Sequence, residues 1–214
     1  EGMILQALKE YYDRKAEEGL IAEEGWIRGG IDFLVGLDLE GNIINIHDLR
    51  EMEKKKYVSR HMNLPNIGKQ ALKHTNSGSD ANLLWDNASF IFGLGKNGDT
   101  RLQSMIDVID KWLGKISDPG VSAVRKFFIN GLKDRNHFSP ALNHSDYGAL
   151  FKEGKVKLSF CVKGTDYNII FESPNVKESL KHEVNEDTAV GTCLVTGDTN
   201  VAIEPTHPVT KGVW

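Results

Sequence analysis

The chain has 214 residues, of which 26 are Lys or Arg and 30 are Asp or Glu, so its formal net charge is −4. This length suits one large domain or two small ones. A content of 40% hydrophobic and 26% charged residues is typical of a globular protein and excludes a disordered chain or a coiled coil. The negative net charge argues against a broadly basic nucleic-acid coat, but it allows binding through one local patch.

The two cysteines, Cys161 and Cys193, stand far apart, with neither in a C-x-x-C pair. This spacing argues against a zinc knuckle or a disulfide framework and fits a reducing cytoplasm. The chain contains no apolar run of about 18 residues and no signal-peptide pattern, so we expect no membrane association.

The first half of the chain predicts one helix and several strands. Apolar spacing indicates a helix over residues 3–18, and residues 31–37 and 43–46 read as two strands of a hairpin around a Gly-Asn turn. Residues 54–82 are basic and loop-like, and the short apolar run over residues 89–94 predicts a strand.

The second half predicts a helical segment followed by more hairpins. Residues 100–115 and 121–133 are amphipathic helices, with Ser117 or Asp118 before Pro119 as the cap of the second. The other elements are a hairpin of residues 156–162 and 167–171, a short helix over residues 175–183, and a strand pair of residues 193–196 and 201–203.

Strands grouped in hairpins and helices grouped together favour an α+β fold over alternating βαβ units. We expect a mixed or antiparallel sheet built from hairpins, with the helical part at about residues 99–135. We expect residues 1–214 to form a single α+β domain. The abrupt end at Trp214, without a polar tail, indicates the N-terminal portion of a longer protein.

Charge segregation is the strongest physical signal for function. Residues 54–82 contain six basic side chains and one acid, Asp80, a local charge of +5 that leaves −9 on the rest of the chain because the total is −4. Cations, glycines and short polar side chains are suited to contact the phosphates of a nucleic acid and the base edges in its grooves. A solvated loop without a binding role is an equal alternative. The candidate DNA-binding residues from this argument are Lys54, Lys55, Lys56, Arg60, Lys69, Lys73, Asn76, Ser77 and Asn82.

The segment from Gly93 to Gly98 matches G-x-G-x-x-G, between a predicted strand and a predicted helix. In a dinucleotide fold these glycines let the backbone approach a pyrophosphate at a helix N-terminus. Here we place the helix start after Gly98, with Asp99 or Thr100 as its cap, and an aspartate there would repel phosphate. We therefore interpret the match as turn chemistry and expect no cofactor.

The histidines have no helical i, i+4 pair of the kind that binds zinc, so we expect no metal site. The residues that come nearest to a hydrolytic site are His47 with Asp48 and His144 with Asp146. A metal-dependent nuclease that uses these residues remains an alternative.

Several sequence blocks resemble a known family. Residues 3–8 followed by Tyr11 and Tyr12 are similar to the opening of the CRISPR-associated Csd family, Dvulg subtype, the large subunit of the type I-C Cascade complex. Residues 83–93, with the letters LLWDNASFIFG, resemble its L-W-D-N-A-x-Y-x-x-G block, and Phe90 replaces the expected tyrosine. Ser77-Gly78, CLVTG at residues 193–197 and HPVTKGV at residues 207–213 resemble further blocks, so the likeness spans nearly the whole chain.

The resemblance implies a non-catalytic, cytoplasmic protein of antiviral defence that binds target double-stranded DNA. Such a subunit would recognise the motif flanking the target (the PAM) and help to open the duplex for guide-RNA pairing, with cleavage left to a helicase-nuclease recruited later. Its partners would be the guide-RNA ribonucleoprotein and the other Cascade subunits. The matched block adds Asn87 to the candidate DNA-binding residues. A second alternative is an assembly domain that contacts only other subunits or guide RNA.

Overall fold

A computed structural model describes residues 4–18, 22, 25–67, 80–182, 190–192, 197, 199 and 201–202. The helices are α1 (Ile4–Glu17), α2 (Ala88–Ile91), α3 (Gly98–Leu113), α4 (Pro119–Lys133), α5 (Ser139–Leu142), α6 (Gly148–Glu153) and α7 (Pro174–His182). The strands are β1 (Trp26–Ile31), β2 (Phe33–Leu37), β3 (Ile43–Asp48), β4 (Glu51–Glu53), β5 (Lys56–Val58), β6 (Arg60–Pro65), β7 (Asp86–Asn87), β8 (Lys157–Val162), β9 (Val190–Gly191) and β10 (Val201–Ala202).

The central sheet is mixed and has the strand order β3-β2-β8-β7. Strand β2 pairs antiparallel with β3 and parallel with β8, and β7 pairs antiparallel with β8. All five residues of β2 are buried, as expected for a strand with neighbours on both edges and cover on both faces. Separate antiparallel ribbons are formed by β1 with β6, β4 with β5, and β9 with β10. The fold is α+β.

The helical layer packs on this sheet through aromatic side chains. Helix α4 lies against β2 and β8, and α3 lies against α4. The rings of Phe127 and Phe128 on α4 contact Phe160 of β8 at centroid distances of 5.4 and 5.6 Å, in edge-on geometry. Buried edge-on pairs of this kind add to the stabilisation that comes from removing the rings from water.

A buried carboxylate joins the start of α4 to the segment after β8. Asp118 is 6% exposed and accepts hydrogen bonds from the N–H groups of Gly120 and Val121, as a helix N-cap does. Its oxygens also accept from the hydroxyls of Tyr167 (2.6 Å) and Ser173 (2.5 Å). Burial raises the pKa of Asp118, but the hydrogen bonds from Ser173, Tyr167 and the Val121 N–H outweigh it, so the pKa lies below its ordinary value.

The predicted helices at residues 3–18, 100–115, 121–133 and 175–183 are confirmed with shifts at their ends, and so is the cap at Asp118. The hairpin across residues 38–42 is confirmed, and the turn is closed by Asp38, whose carboxylate accepts from the N–H groups of Glu40 and Asn42. No helix in the part of the chain that the structure describes is long and apolar enough to cross a membrane.

Three predictions about strands were wrong. Residues 89–94 are not a strand, because the apolar run belongs to α2 and the turn after it. Residues 167–171 do not pair with β8, which has β2 and β7 as its neighbours. Residues 54–65 are not a loop but a turn, β5 and β6. The predicted strand at residues 193–196 lies outside the described residues, and the observed partner of β10 is β9.

Candidate nucleic-acid interface

A lysine-tipped hairpin, β4–β5, carries three of the predicted DNA-binding residues. Lys54 and Lys55 form its two-residue turn, and Lys56 starts β5 opposite Glu53. The φ angles of Lys54 and Lys55 are 43° and 71°. Two successive positive φ values are those of a type I′ turn, which favours Asn and Gly because a Cβ atom is crowded in this conformation. Both side chains are exposed, so their placement in this turn has no packing explanation.

The hairpin is anchored to the core through Arg50. Its guanidinium lies between the rings of Phe33 and Tyr57, 4.4 and 4.5 Å from their centroids. Arg50 also donates from Nε and Nη2 to the two carboxylate oxygens of Asp48, at 2.9 and 2.8 Å. These hydrogen bonds hold the pKa of Asp48 below its usual range. Arg50 thereby links Tyr57 on β5 to Phe33 of the buried strand β2 and joins the hairpin to the core.

The charge on the hairpin is less one-sided than residues 54–82 suggested. Glu51 and Glu53 on β4 stand beside the three lysines, so the hairpin from residue 51 to residue 58 has a net charge of +1. Within the described chain, the side chains of Lys54, Lys55 and Lys56 make no ion pair or hydrogen bond. The unpaired positive charge is therefore concentrated at the turn.

Arg60 lies apart from the turn, in a groove between the β1–β6 ribbon and residues 169–177. The groove has a volume of about 410 Å³. Besides Arg60 it is lined by the basic side chains of Arg28 and Lys177, and by His61. Reasoning from sequence missed Arg28 and Lys177, because each stands alone among residues of mixed charge and only the fold brings them to Arg60.

Asn82 and Asn87 are grouped around a different feature, the buried carboxylate of Asp86. Asp86 is 2% exposed and accepts from the N–H groups of Asn82 (2.9 Å) and Asn87 (2.8 Å). The Ser89 hydroxyl donates to the Asn87 side chain at 2.5 Å. Asn87 lies on β7, at the edge of the central sheet opposite β3. The structure therefore does not group these two asparagines with the turn formed by Lys54 and Lys55, which we call the lysine turn.

The residues of the L-W-D-N-A block, and Phe90 after it, have structural roles. Trp85 donates its indole N–H to the carbonyl of Pro65, at 2.9 Å, and so joins this block to β6. Phe90, in the position of the family's tyrosine, is fully buried in the core. The other candidates, Lys69, Lys73, Asn76 and Ser77, lie outside the described residues.

The G-x-G-x-x-G segment is a turn between two helices, as we interpreted it. It follows α2 and not a strand, and Gly93 and Gly95 have φ angles of 56° and 80°. Helix α3 begins at Gly98 itself with Asn97 as its cap, so our placement of the start after Gly98 was wrong. Asp99 forms an ion pair with Arg135, and Arg101 donates to the carbonyl of Leu94 at 2.7 Å.

Two residues of the nuclease alternative, Asp48 and His144, are engaged in local contacts. Asp48 is paired with Arg50, as described above. His144 stacks on Tyr147 with a centroid distance of 4.9 Å, and its Nδ1 accepts from the N–H of Asp146 at 3.2 Å. Among the described residues, no three His, Cys, Asp or Glu side chains are placed to hold a metal ion.

Comparison with known proteins identifies the family. A comparison with curated proteins found no match. The family model of the CRISPR-associated protein Cas_Csd1 matches residues 8–214, which is nearly the whole chain. The chain thus belongs to the CRISPR-associated Cas_Csd1 family.

Proposed function

We propose that this protein is the non-catalytic large subunit of a type I-C Cascade complex, and that it recognises the target-flanking motif in double-stranded DNA. Binding at that motif would help to open the duplex, so that the guide RNA can pair with one strand. A separate helicase-nuclease would then cleave the DNA. Membership of a CRISPR-associated family supports the setting, and the lysine turn supports the contact with DNA.

The observation that carries the proposal is the pair of lysines in a left-handed turn. Lys54 and Lys55 occupy positions that Asn and Gly would fill with less backbone strain. Strained residues that persist without a packing role are concentrated at binding and catalytic sites. Exposed, unpaired ammonium groups on a rigid turn are suited to contact phosphates, since phosphate contacts fix the position of a protein on a duplex.

Because the hairpin is joined to the core, its turn is well placed to contact the edge of a DNA groove. The contacts of Arg50 with Phe33 and Tyr57 limit the movement of the hairpin, so the backbone of the turn loses little entropy on binding. The acidic body of the protein repels DNA elsewhere, which favours one oriented contact over coating.

A binding selection tests the proposal. A duplex that carries the guide-matched target beside about five randomised base pairs is incubated with the reconstituted guide-RNA complex, and bound DNA is sequenced. We expect one short motif to be enriched beside the target only when this subunit is present, since base pairing with the guide reads the target itself. Random recovery with and without the subunit contradicts motif recognition. DNA cleavage by the purified chain with Mg²⁺ or Mn²⁺, lost in Asp146→Asn, would instead favour the nuclease.

The assembly-domain alternative has its own supporting observation. Helix α1 exposes Ile4 (77%), Leu8 (57%) and Tyr11 (53%), which recur at helical spacing. An exposed apolar stripe of this kind marks a surface for another protein. Co-purification with a partner subunit that is lost in Leu8→Gln, together with no motif enrichment, would favour assembly as the main role.

A further inference from the structure

The β4–β5 hairpin depends on the rest of the protein for its position. Each of its two strands has three residues, and within the described part of the chain neither strand pairs with a strand outside the hairpin. A two-stranded hairpin by itself is at best marginally stable in water. The position of the lysine turn must therefore be set by contacts at the two ends of the hairpin.

Asp32 is an anchor common to both ends. It lies between β1 and β2, and its backbone carbonyl accepts from the N–H of Leu49, just before the hairpin, at 2.9 Å. Its carboxylate accepts from the hydroxyl of Ser59, just after the hairpin, at 2.6 Å. The other carboxylate oxygen accepts from the N–H of Lys157, at the start of β8, at 2.7 Å. Asp32 therefore joins the chain on both sides of the hairpin to the central sheet.

The residue after the hairpin, Ser59, also packs closely on β1. If Gly30 had a side chain, its Cβ atom would lie 2.6 Å from the Cβ atom of Ser59, which is too close for two such atoms. The absence of a side chain at residue 30 lets Ser59 lie against β1 and reach the carboxylate of Asp32. Both a close contact and a hydrogen bond therefore fix the chain where it leaves the hairpin.

Arg50 fixes the chain where it enters the hairpin. Its backbone N–H and its guanidinium donate to one carboxylate, that of Asp48. These hydrogen bonds raise the pKa of Arg50, and the negative charge of Asp32 adds to the effect. The guanidinium also lies over the ring of Tyr57 on β5. Because the side chain of Arg50 is 12% exposed, it is placed to orient the hairpin and not to contact DNA itself.

We propose that Asp32, Arg50 and Ser59, which we call the clamp, are positioning residues for DNA recognition. By holding both ends of the hairpin, the clamp fixes where the lysine turn meets the duplex. The inference rests on the proposed function for the DNA contact itself. Binding groups must be held to within about 0.5 Å of their productive geometry, so a looser clamp should weaken binding through the turn although no group that contacts DNA is removed.

Two conservative variants loosen the clamp without changing the charge of the protein. Arg50→Lys keeps the positive charge, but an ammonium group cannot donate two parallel hydrogen bonds to Asp48 or lay a planar face on Tyr57. Ser59→Ala removes the hydroxyl that donates to Asp32. The two variants act at opposite ends of the hairpin, so a shared effect identifies the position of the turn as its cause.

Two control variants make the same chemical changes elsewhere. Arg125→Lys alters a second pair in which one arginine donates two hydrogen bonds to one carboxylate, that of Asp110, between α4 and α3. Ser122→Ala removes the hydroxyl of an exposed serine on α4. Neither control alters a residue of the hairpin or of the clamp.

Fluorescence anisotropy with a labelled, motif-bearing duplex measures the effect on binding. Each clamp variant should raise Kd about fivefold, the size of effect expected when one hydrogen bond within the protein is lost. In the background Lys54→Gln with Lys55→Gln, the same substitutions should change Kd less than about twofold, because the clamp acts through these two lysines. Damage to the fold as a whole would weaken binding in both backgrounds.

Trypsin cleavage tests the clamp without DNA. Trypsin cuts after lysine, and a cut after Lys54, Lys55 or Lys56 requires the hairpin to open locally. Each clamp variant should speed this cut about fivefold relative to the cut after Lys163, which follows the far end of β8, because cleavage follows the population of the open form. The control variants should leave the ratio of the two cuts unchanged.

The two readouts separate the inference from the function on which it rests. Unchanged cleavage in both clamp variants overturns the inference, and so does a loss of binding that is equal in the two backgrounds or equal to that of the controls. Faster cleavage with normal DNA binding overturns the positioning role and leaves the DNA contact intact. If Lys54→Gln with Lys55→Gln leaves Kd unchanged while the clamp variants are cut faster, the DNA contact fails and the hold of the clamp on the turn is upheld.

Discussion

Replacing the lysine turn with Asn-Gly should stabilise the protein and weaken its binding to DNA at the same time. The double variant Lys54→Asn with Lys55→Gly keeps the type I′ turn and removes both ammonium groups. Lys54 and Lys55 have φ angles of 43° and 71°, where Asn and Gly are favoured. A variant that loses binding because its fold is damaged also loses stability, so a gain in stability together with weaker binding identifies a lost contact with DNA.

The stability gain follows from the backbone. A left-handed conformation costs about 1–2 kcal/mol for an ordinary L-residue, and glycine avoids this cost but loses more chain entropy on folding. We expect a net gain of about 1 kcal/mol. For a chain of this length that corresponds to a rise in Tm of about 2–4 °C. The gain should reach global unfolding because Tyr57 of the hairpin stacks on Arg50, which stacks on Phe33 in the core.

The binding loss follows from the charges. If both lysines contact phosphates of a B-form duplex, each accounts for about 0.9 of the log–log salt slope, so the variant should flatten the slope by about 1.8. The matched control, Lys54→Gln with Lys55→Gln, removes the same charges but keeps side chains in the strained turn. It should show the same loss of slope without the rise in Tm.

Calorimetry and fluorescence anisotropy with a motif-bearing duplex measure the two effects. An unchanged salt slope in both variants would show that Lys54 and Lys55 are exposed to solvent and do not contact DNA phosphates. It would refute the inference that the strained turn is a DNA-binding site. A fall in Tm for the Asn-Gly variant would show that the turn is not under left-handed strain in solution.

Two further predictions concern the fold. Asp118→Asn should lower the free energy of unfolding by about 2–4 kcal/mol, since the amide cannot accept all the hydrogen bonds from Tyr167, Ser173 and the helix N-terminus. Folding lowers the pKa of Asp118, so the carboxylate contributes its full stabilisation above the ordinary pKa of 3.8. This contribution is lost as the pH falls through the lower pKa of the folded state. The free energy of unfolding of the variant, measured with urea, should therefore depend less on pH below about 4. Gly131→Ala should destabilise by about 1–3 kcal/mol, although alanine favours helices, because the new methyl group would occupy the space of the Phe138 ring. A gain in urea midpoint for this variant would contradict the tight packing of α4 on that ring.

Patterns that extend over several turns of chain were predictable. Helices α3 and α4 run for 16 and 15 residues with repeated apolar positions, and both were found from sequence. The apolar run over residues 89–94 is too short for periodicity to decide between helix and strand. Its helical state depends on packing, since Phe90 and Ile91 of α2 are buried in the core.

Pairing between distant strands was not predictable from local pattern. Strand β8 pairs in parallel with β2, more than a hundred residues earlier, so the neighbouring residues 167–171 are not needed as its partner. Residues 56–65 looked like loop because their lysines and other polar side chains hide the strand pattern. Their strands are set by partners, β4 for β5 and β1 for β6.

The sequence by itself determined the α+β class, the main helices, the family and the concentration of lysines at residues 54–56, because these depend on local order and composition. Only the tertiary structure decided where charge acts. It held Lys54 and Lys55 in a left-handed turn and brought Arg28, Arg60 and Lys177 to the lining of one groove. The reason is physical: electrostatic potential depends on distance in space, and residues far apart in the chain become neighbours only when the core is formed.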